Sequence, residues 1–509
     1  MAVVQSTRDA SRDAPLFSEV KDWYNQNLAP DAVDLDDQRV YENVYHDGRW
    51  AGVFQCTQNG AQRFFRRAKP RSIVDIATLT SIYRPGPLAA KVDDLYVDAR
   101  SGKEYDWGDR RINEILKKTD GLIIFQEQVM QLAHEVAGLP LPDCDKLRKA
   151  IMKRTIGGGE EAKKKAQGLR DGFVDGAVKN GYDRKIAENL YDRILWFAGY
   201  GFNKAHAVSY ALDSYFCAWL MTHHEPEWVC AYLQVMSKTP DKRAKAFAEV
   251  RGLGYKITTV DVNHSTKTWV ALPGKRLVPS FESYKSIGDA AVEEILTRRP
   301  FSSLEEMLWA PDGSWRMSKF NKRALESLIK VGGFESLGCV GEGRLFSSYK
   351  HMHDVIIGGW EQVKKTSKRN PWQGRDFMRA RAADTADCEE WTREEKLANF
   401  IEVVGSADVS MLVPPKIMEK LTERAVPSID DIDEDENDIA WFCVSEITRK
   451  TSKKNKAYTL LTVTGPVGKQ HKVYVWGQLP AQLKKLSIVM APLERSQFGF
   501  STNKLVVLI

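Results

Sequence analysis

The sequence predicts a mainly α-helical, multidomain protein that closes in a small β-barrel of the OB type. Three observations carry that prediction. Apolar residues recur at helical spacing with little interruption from the first residues to about Leu233. Helices set off by glycine and proline, with one short strand pattern, continue to about residue 340. The last stretch instead alternates like strands: Ile439 to Ile447, Ala457 to Val463, His471 to Trp476 and Leu505 to Leu508. At ~150 residues per domain, 509 residues allow three or four domains. The texture divides the chain into 1–50 (an extension with two helices), 51–236 (a large helical domain), 237–340 (a second helical domain), 341–436 (an irregular connector) and 437–509 (the barrel).

Composition narrows the class. Hydrophobic content of 43% and charged content of 28% suit an ordinary globular protein. With 74 basic and 68 acidic residues, net +6, only local clustering can attract a polyanion. Cysteines 56, 144, 217, 230, 339, 388 and 443 form no CxxC pair, which predicts reduced thiols and neither a zinc site nor a disulfide framework. No apolar run reaches membrane-spanning length and no signal-peptide core is present, so a cytoplasmic protein without a membrane partner is expected.

Along the chain, residues 1 to about 14 read as polar and unstructured, and a helix is predicted from Phe17 to Tyr24. Asp34-Leu-Asp-Asp37 predicts another helix with acidic residues in its first turn. Gly52-Val-Phe-Gln55 reads as a short buried strand or turn. The basic amphipathic segment Gln62 to Lys69 follows, then a helix from Ile73 to Tyr83 stopped by the rigid turn Arg84-Pro-Gly-Pro87. A helix after Ile123 puts Val129, Leu132, Ala133, Val136 and Ala137 on one side until Pro140 and Pro142 break it. Asp143 is then the predicted N-cap of a helix from Lys146 to Arg154, with Leu147 and Ile151 inward and Arg148, Lys149 and Lys153 outward. Gly157-Gly-Gly159 interrupts before a charged helix with Lys163-Lys-Lys165.

The chain is organised around Trp196-Phe-Ala-Gly-Tyr-Gly-Phe-Asn-Lys-Ala-His-Ala-Val-Ser-Tyr210. It ends one helix, bends through Gly199 and Gly201, and sets Asn203, Lys204 and His206 at the start of the next. N–H groups at such a helix mouth favour an anion. Ala207, Ala211, Ser214 and Ala218 then form a stripe of small residues that another backbone can approach. Further on, a helix from about Arg243 ends at Gly254, and Ile287-Gly288 precedes a helix in the manner of a helix-hairpin-helix turn. The run Asp430 to Glu436 reads as a solvated acidic linker, and Lys450 to Lys456 as a basic hairpin of the barrel.

Gly52-Val-Phe-Gln55, Tyr83-Arg-Pro-Gly-Pro87, Phe125-Gln-Glu-Gln-Val-Met130, Leu147-Arg-Lys-Ala150 and Phe197-Ala-Gly-Tyr-Gly-Phe-Asn-Lys204 occur in that order over about 150 residues. Together they resemble the fingers domain of bacterial C-family replicative DNA polymerases, the DNA polymerase III alpha subunit. On that resemblance 1–50 holds palm-proximal helices, 51–236 the polymerase fingers, 237–340 a tandem helix-hairpin-helix duplex-binding domain and 437–509 an OB-fold domain. Thr392-Arg-Glu-Glu-Lys-Leu397 resembles the helix between the last two.

The resemblance implies a nucleotidyltransferase that binds template-primer DNA and dNTPs and uses Mg²⁺. Arg148 and Lys149 match the family's paired basic residues on the incoming triphosphate, while Arg84, Asn203 and Lys204 line the same cleft. His206 is the implied general acid for the departing pyrophosphate. Lys149 replaces the usual arginine, Cys56-Thr57 replaces Leu-Glu, and Ala205 replaces serine. DNA contact falls to Ile287 and Gly288 for duplex, and to Lys453, Lys454 and Lys456 for single strands. Gln373 and Phe377 have the spacing of a sliding-clamp peptide.

The family's palm aspartates find no counterpart here. Asp34-Leu-Asp36 has the form of a metal pair, but its distance before Gly52 matches a structural helix start, so no metal ligand is assigned. The resulting expectation is the C-terminal half of a split polymerase, as in a phage, inactive without a palm- and PHP-bearing partner that supplies the Mg²⁺ ligands. The competing readings are a non-catalytic DNA-binding scaffold and an error-prone repair-type relative.

Overall fold

The computed structural model describes residues 17–509 except 104, 155–159, 199–200, 405–408, 425, 431, 433–437, 453–455, 467–469 and 497–498. The chain forms two compact units, Met1–His223 and His224–Ile509. The break falls thirteen residues before the expected one at 236/237, because Glu225–Met236 packs with Pro240–Gly252 around Val229, Leu233, Ala246 and Val250. The acidic run after Asp430 and the glycines 157–159 and 199 lie outside the described residues or largely so.

In the first unit the helix Lys204–His223 is the spine, and its predicted small-residue stripe is buried. Against it lies Ile73–Ile82, itself almost wholly buried, so two backbones meet with little side chain between them. The hydroxyls of Ser214 and Tyr45 hydrogen-bond at 2.9 Å, and Tyr215 Oη donates to the carbonyl of Asp34 at 2.7 Å. Tyr41, Tyr45, Trp50 and Phe65 complete an aromatic core beside the spine. Buried Asp75 in that core is paired with Arg100 at 3.1 Å.

Local predictions differ where caps and prolines decide. The Asp34–Asp37 acids precede the helix instead of entering it: Asp37 caps Gln38–Val40, accepting the Arg39 N–H, and the π-helix Tyr41–His46 continues. Gly52–Gln55 is a turn, with Gln55 at φ +63°. Arg84-Pro-Gly-Pro87 does not simply stop the chain; Pro85 starts the short helix Pro85–Ala89. Likewise the helix Leu141–Arg154 runs through Pro142, and Asp143 lies in its first turn rather than at its cap. Proline is tolerated in a first turn because its missing N–H has no helical partner there anyway.

Asp37 also gives a pH prediction. The Arg39 guanidinium, then the Arg39 N–H and the His223 ring, hold its carboxyl at about 2, below the ordinary 3.8, against the opposing effect of burial. A depressed carboxyl stabilises the fold above its unfolded pKa of about 3.9 and loses that contribution as pH falls through the folded value. Asp37→Asn should therefore flatten the acid-unfolding curve of the chain between about pH 4 and pH 2, followed by circular dichroism.

The second unit begins with Glu225–Met236 and Pro240–Gly252, the latter ended as predicted by Gly254 at φ +87°, and a three-stranded sheet of Lys256–Ile257, Arg276–Val278 and Val270–Leu272. Helices Asp289–Arg298, Leu304–Leu308 and Lys322–Lys330 follow. Their core does not stop at residue 340: it continues through Phe346, Met352, Val363 and Met378 to Val404. The stretch expected to be an irregular connector thus carries helices Tyr349–Ile356, Gln373–Asp384 and Arg393–Val404. The last is opened by a reciprocal cap, Thr392 N–H to Glu395 (2.8 Å) and Glu395 N–H to Thr392 (3.2 Å).

Asp438–Thr451, Ala457–Thr464, Gln470–Val475, Ile488–Ser496 and Gly499–Thr502 form the C-terminal barrel. Taken in chain order as strands one to five, their pairing order is one-two-three-five-four, and four pairs back to one. Three and five are parallel, which is the OB-type arrangement. A bulge between Val444 and Glu446 lets the long first strand pair with two neighbours, and Val444, Leu461, Val463, Val473 and Val489 fill the interior.

Candidate functional site

Two segments far apart in sequence meet at Phe125 and Phe202. The Gln126 N–H donates to the Phe202 carbonyl at 2.9 Å, and the Phe202 N–H to the Ile124 carbonyl at 3.2 Å, a short parallel bridge. Gln128 braces it from within. Its Oε1 accepts the N–H groups of Ile124 and Phe125, both at 2.8 Å, and its amide donates to Thr119 Oγ1 at 2.7 Å. Gln128 is only 6% exposed, so these two backbone donors have no water to turn to. Gly201 packs closely beside the bridge: a Cβ there would sit 3.3 Å from Gln126 Cγ, and that side chain would have to shift slightly.

The helices Gln126–Glu135 and Lys204–His223 diverge from this bridge, and the cations gather around it. Arg148 donates from Nη1 to Gln126 Oε1 at 2.8 Å, and from Nε and Nη2 to Asp145 Oδ1 at 3.0 and 2.7 Å. Lys149 Nζ lies 2.7 Å from Asp145 Oδ2. One carboxylate thus faces two cations, which hold it below the usual carboxylate range, Lys149 first and then Arg148. Arg84 stands 4.6 Å over the Phe202 ring, and Lys204 Nζ 5.9 Å from the centre of the Phe125 ring. The His206 ring packs between Phe202 (5.3 Å) and Tyr210 (4.3 Å), and Tyr210 touches Phe54 (5.2 Å). All five sequence motifs therefore meet at one place.

The mouth of the Lys204–His223 helix is not open to an outside anion. Glu127 accepts the Lys204 N–H at 2.9 Å and the Asn203 Nδ2 at 3.0 Å, while Asn203 Oδ1 accepts the His206 N–H at 2.8 Å. Asn203 thus acts as a cap, and the exposed positive groups near the mouth are side chains. Sequence reading missed Gln126, Glu127 and Asp145 because each acts through another residue; their places inside the quoted motifs were the available signal.

The Asp34 carboxylate accepts the Asp36 N–H at 3.0 Å, and the Asp34 carbonyl accepts from Tyr215 Oη. Among the described residues no group of three or more His, Cys, Asp or Glu side chains is arranged to hold a metal. All seven cysteines are free thiols. No helix of the described residues is long and apolar enough to cross a membrane.

At the hairpin, Ile287 is a buried anchor, 7% exposed. Gly288 is exposed and caps Asp289–Arg298, with open space where a Cβ would stand. On the barrel Lys456 is exposed, whereas Lys453 and Lys454 lie outside the described residues. The feature missed there is aromatic: Tyr458 lies 5.8 Å from Tyr474 and 5.1 Å from Trp476, on the outer face of strands two and three. Gln373 and Phe377 fall within the helix Gln373–Asp384, and the Phe377 ring packs on Gly359 beneath Arg381. The Phe377 ring is partly buried against the core of the second unit.

Residues 14–181 match the bacterial DNA polymerase III alpha subunit finger domain, and residues 254–341 match the helix-hairpin-helix motif. The DNA polymerase III subunit alpha of Campylobacter jejuni is 33% identical over 63% of this chain and 26% of its own length. That of Xylella fastidiosa is 32% identical over 74% of this chain and 31% of its own. That of Thermus aquaticus is 34% identical over 63% of this chain and 26% of its own. The chain spans between a quarter and a third of the length of these curated relatives. Through its fingers and helix-hairpin-helix regions, the chain belongs to the bacterial DNA polymerase III alpha subunit family.

Proposed function

We propose that this chain grips the triphosphate of an incoming dNTP and holds template-primer DNA for a replicative DNA polymerase. The observation that carries the reading is the convergence of Arg84, Arg148, Lys149 and Lys204 on the Phe125–Phe202 bridge. Arginine's planar fork suits a phosphate, and Asp145 and Gln126 hold that of Arg148 in place before any ligand arrives. Lys149 and Lys204 add point charges. Asn203 and Glu127 hold the backbone at Lys204, and His206, whose ring packs between those of Phe202 and Tyr210, would be the proton donor to the leaving pyrophosphate.

Polymerases of this kind use Mg²⁺, but the carboxylates described here do not fit it, so no step is assigned to a metal on these residues. Carboxylates outside the described residues, on this polypeptide or on a palm-bearing partner, would hold the ions. Residues 1–509 with primed DNA, Mg²⁺ and dNTPs should give no extension until a palm-bearing polymerase chain is added. Robust extension by these residues alone would reopen Asp34 and Asp36.

DNA grip divides between the hairpin at Gly288 and the barrel. Exposed backbone at Gly288 suits sequence-independent phosphate contact, which weakens steeply as salt rises. Tyr458, Tyr474 and Trp476, the last 45% exposed, offer stacking faces flanked by Lys450 and Lys456. Each stacked base is worth about 1–3 kcal/mol, so Trp476→Ala should lower single-strand affinity about ten- to a hundredfold in fluorescence anisotropy and leave duplex affinity unchanged. An equal loss for both would assign the rings to barrel stability instead.

A further inference from the structure

Arg243 is the only lysine or arginine among the described residues that is buried as a whole residue, 6% exposed. Its Nε and Nη2 donate to the Ser237 carbonyl and its Nη1 to the Val404 carbonyl. Among the described residues no carboxylate pairs with it. Asp75 is matched by Arg100, Glu294 by Arg298, and Lys330 by Glu326 and Glu402, and the partly buried Arg299, also held by carbonyls, feels the charge of Asp261. Carbonyl groups satisfy three guanidinium N–H bonds but supply no opposite charge, and a buried cation without one is costly. Burial accordingly pulls the Arg243 pKa down.

The guanidinium borders a cavity of about 520 Å³ in the second unit. Lys238 and Lys285 stand on its wall with the hydroxyl residues Ser237, Ser280 and Ser283. The one acid on that wall, Glu282, is exposed and accepts from Gln234 at 3.3 Å. Three cations, four hydroxyl-bearing residues counting Tyr284, and a single carboxylate line the cavity, a balance that suits an oxyanion, and two guanidinium N–H bonds are left over from the Ser237 and Val404 carbonyls.

We infer that the Arg243 cavity binds a phosphate group. This does not rest on the nucleotide reading of the Phe125–Phe202 site, which lies in the other unit. Pyrophosphate and a DNA backbone phosphate share the chemistry, and the test separates them. The full chain is heated at constant ionic strength with pyrophosphate or with chloride, and its duplex affinity is measured by anisotropy. The variants are Lys238→Ala/Lys285→Ala, which touches only the rim and leaves the core intact, and Arg243→Met.

If the site takes a free phosphate, pyrophosphate should raise the Tm of the second unit, and the rim variant should lose most of that rise. If it takes DNA, pyrophosphate gives no rise and the rim variant weakens duplex binding about tenfold or more. Because Arg243→Met removes the uncompensated charge, it should fold and abolish whichever response the wild type shows. Neither a pyrophosphate-specific rise nor a loss of duplex affinity in the rim variant would overturn the inference. So would an undiminished response in both variants.

Discussion

Arg148→Ala should raise the nucleotide KM and lower kcat in a polymerase assembled with a palm-bearing chain, with little change in duplex affinity. The side chain is held by Asp145 and Gln126 and projects from a helix whose buried side is Leu147, so its loss leaves the core in place. One charge-assisted hydrogen bond is worth about 1.5–3 kcal/mol, roughly ten- to a hundredfold in kcat/KM. The effect should exceed that single contact's lower bound, since Asp145 would then face Lys149 alone and cancel it. Arg148→Lys keeps the charge and loses the fork, and should fall between. Unchanged nucleotide kinetics with weakened DNA binding would make the helix a DNA-backbone contact.

Gln128→Leu should destabilise the first unit more than any change at the exposed cations. The leucine fills a similar volume but strands the buried N–H groups of Ile124 and Phe125, while the Thr119 hydroxyl keeps its bonds to the Leu116 and Leu122 carbonyls. Each buried donor left without a partner costs about 1–3 kcal/mol, so a loss of about 2–5 kcal/mol is expected. For a unit of this size that lowers the Tm by roughly 5–15 °C. Calorimetry should show the loss in one transition only. Gln128→Glu, which keeps the acceptor, should recover much of it; a variant as stable as the wild type would mean the bridge is not braced there.

On the proposed function, the five motifs were legible because phosphate chemistry would constrain residue type, asking for cations at Arg84, Arg148 and Lys204 wherever the chain put them. The small-residue stripe was legible for a similar reason, since Ala207, Ala211, Ser214 and Ala218 share one helix face and all are buried. Residues that act through others were not. Nothing in the sequence marks Glu127 beyond its place in the Phe125–Met130 motif, and only the fold reveals that it fills the mouth of a helix starting at Lys204.

Periodicity also failed where a helix is short or opens on proline, as at Pro85 and Pro142. It failed again beyond residue 340, where high charge hid helices whose few apolar residues, such as Met352, Val363 and Met378, complete a core begun eighty residues earlier. Barrel strands alternate so cleanly that their inward set was predictable. The aromatic ladder needed the register, because Tyr458 and Trp476 become neighbours only when strands two and three pair.

The central claim is that the cations at the Phe125–Phe202 bridge recognise a triphosphate. It is tested most directly by calorimetric titration of the chain with dATP and, separately, with deoxyadenosine at matched ionic strength. The account predicts measurable binding of dATP, much weaker binding of the nucleoside, and loss of that preference in Arg148→Ala and Lys204→Ala but not in Lys456→Ala. Equal affinity for nucleotide and nucleoside, or a preference untouched by both cleft substitutions, would contradict it and leave a DNA-binding scaffold as the better description.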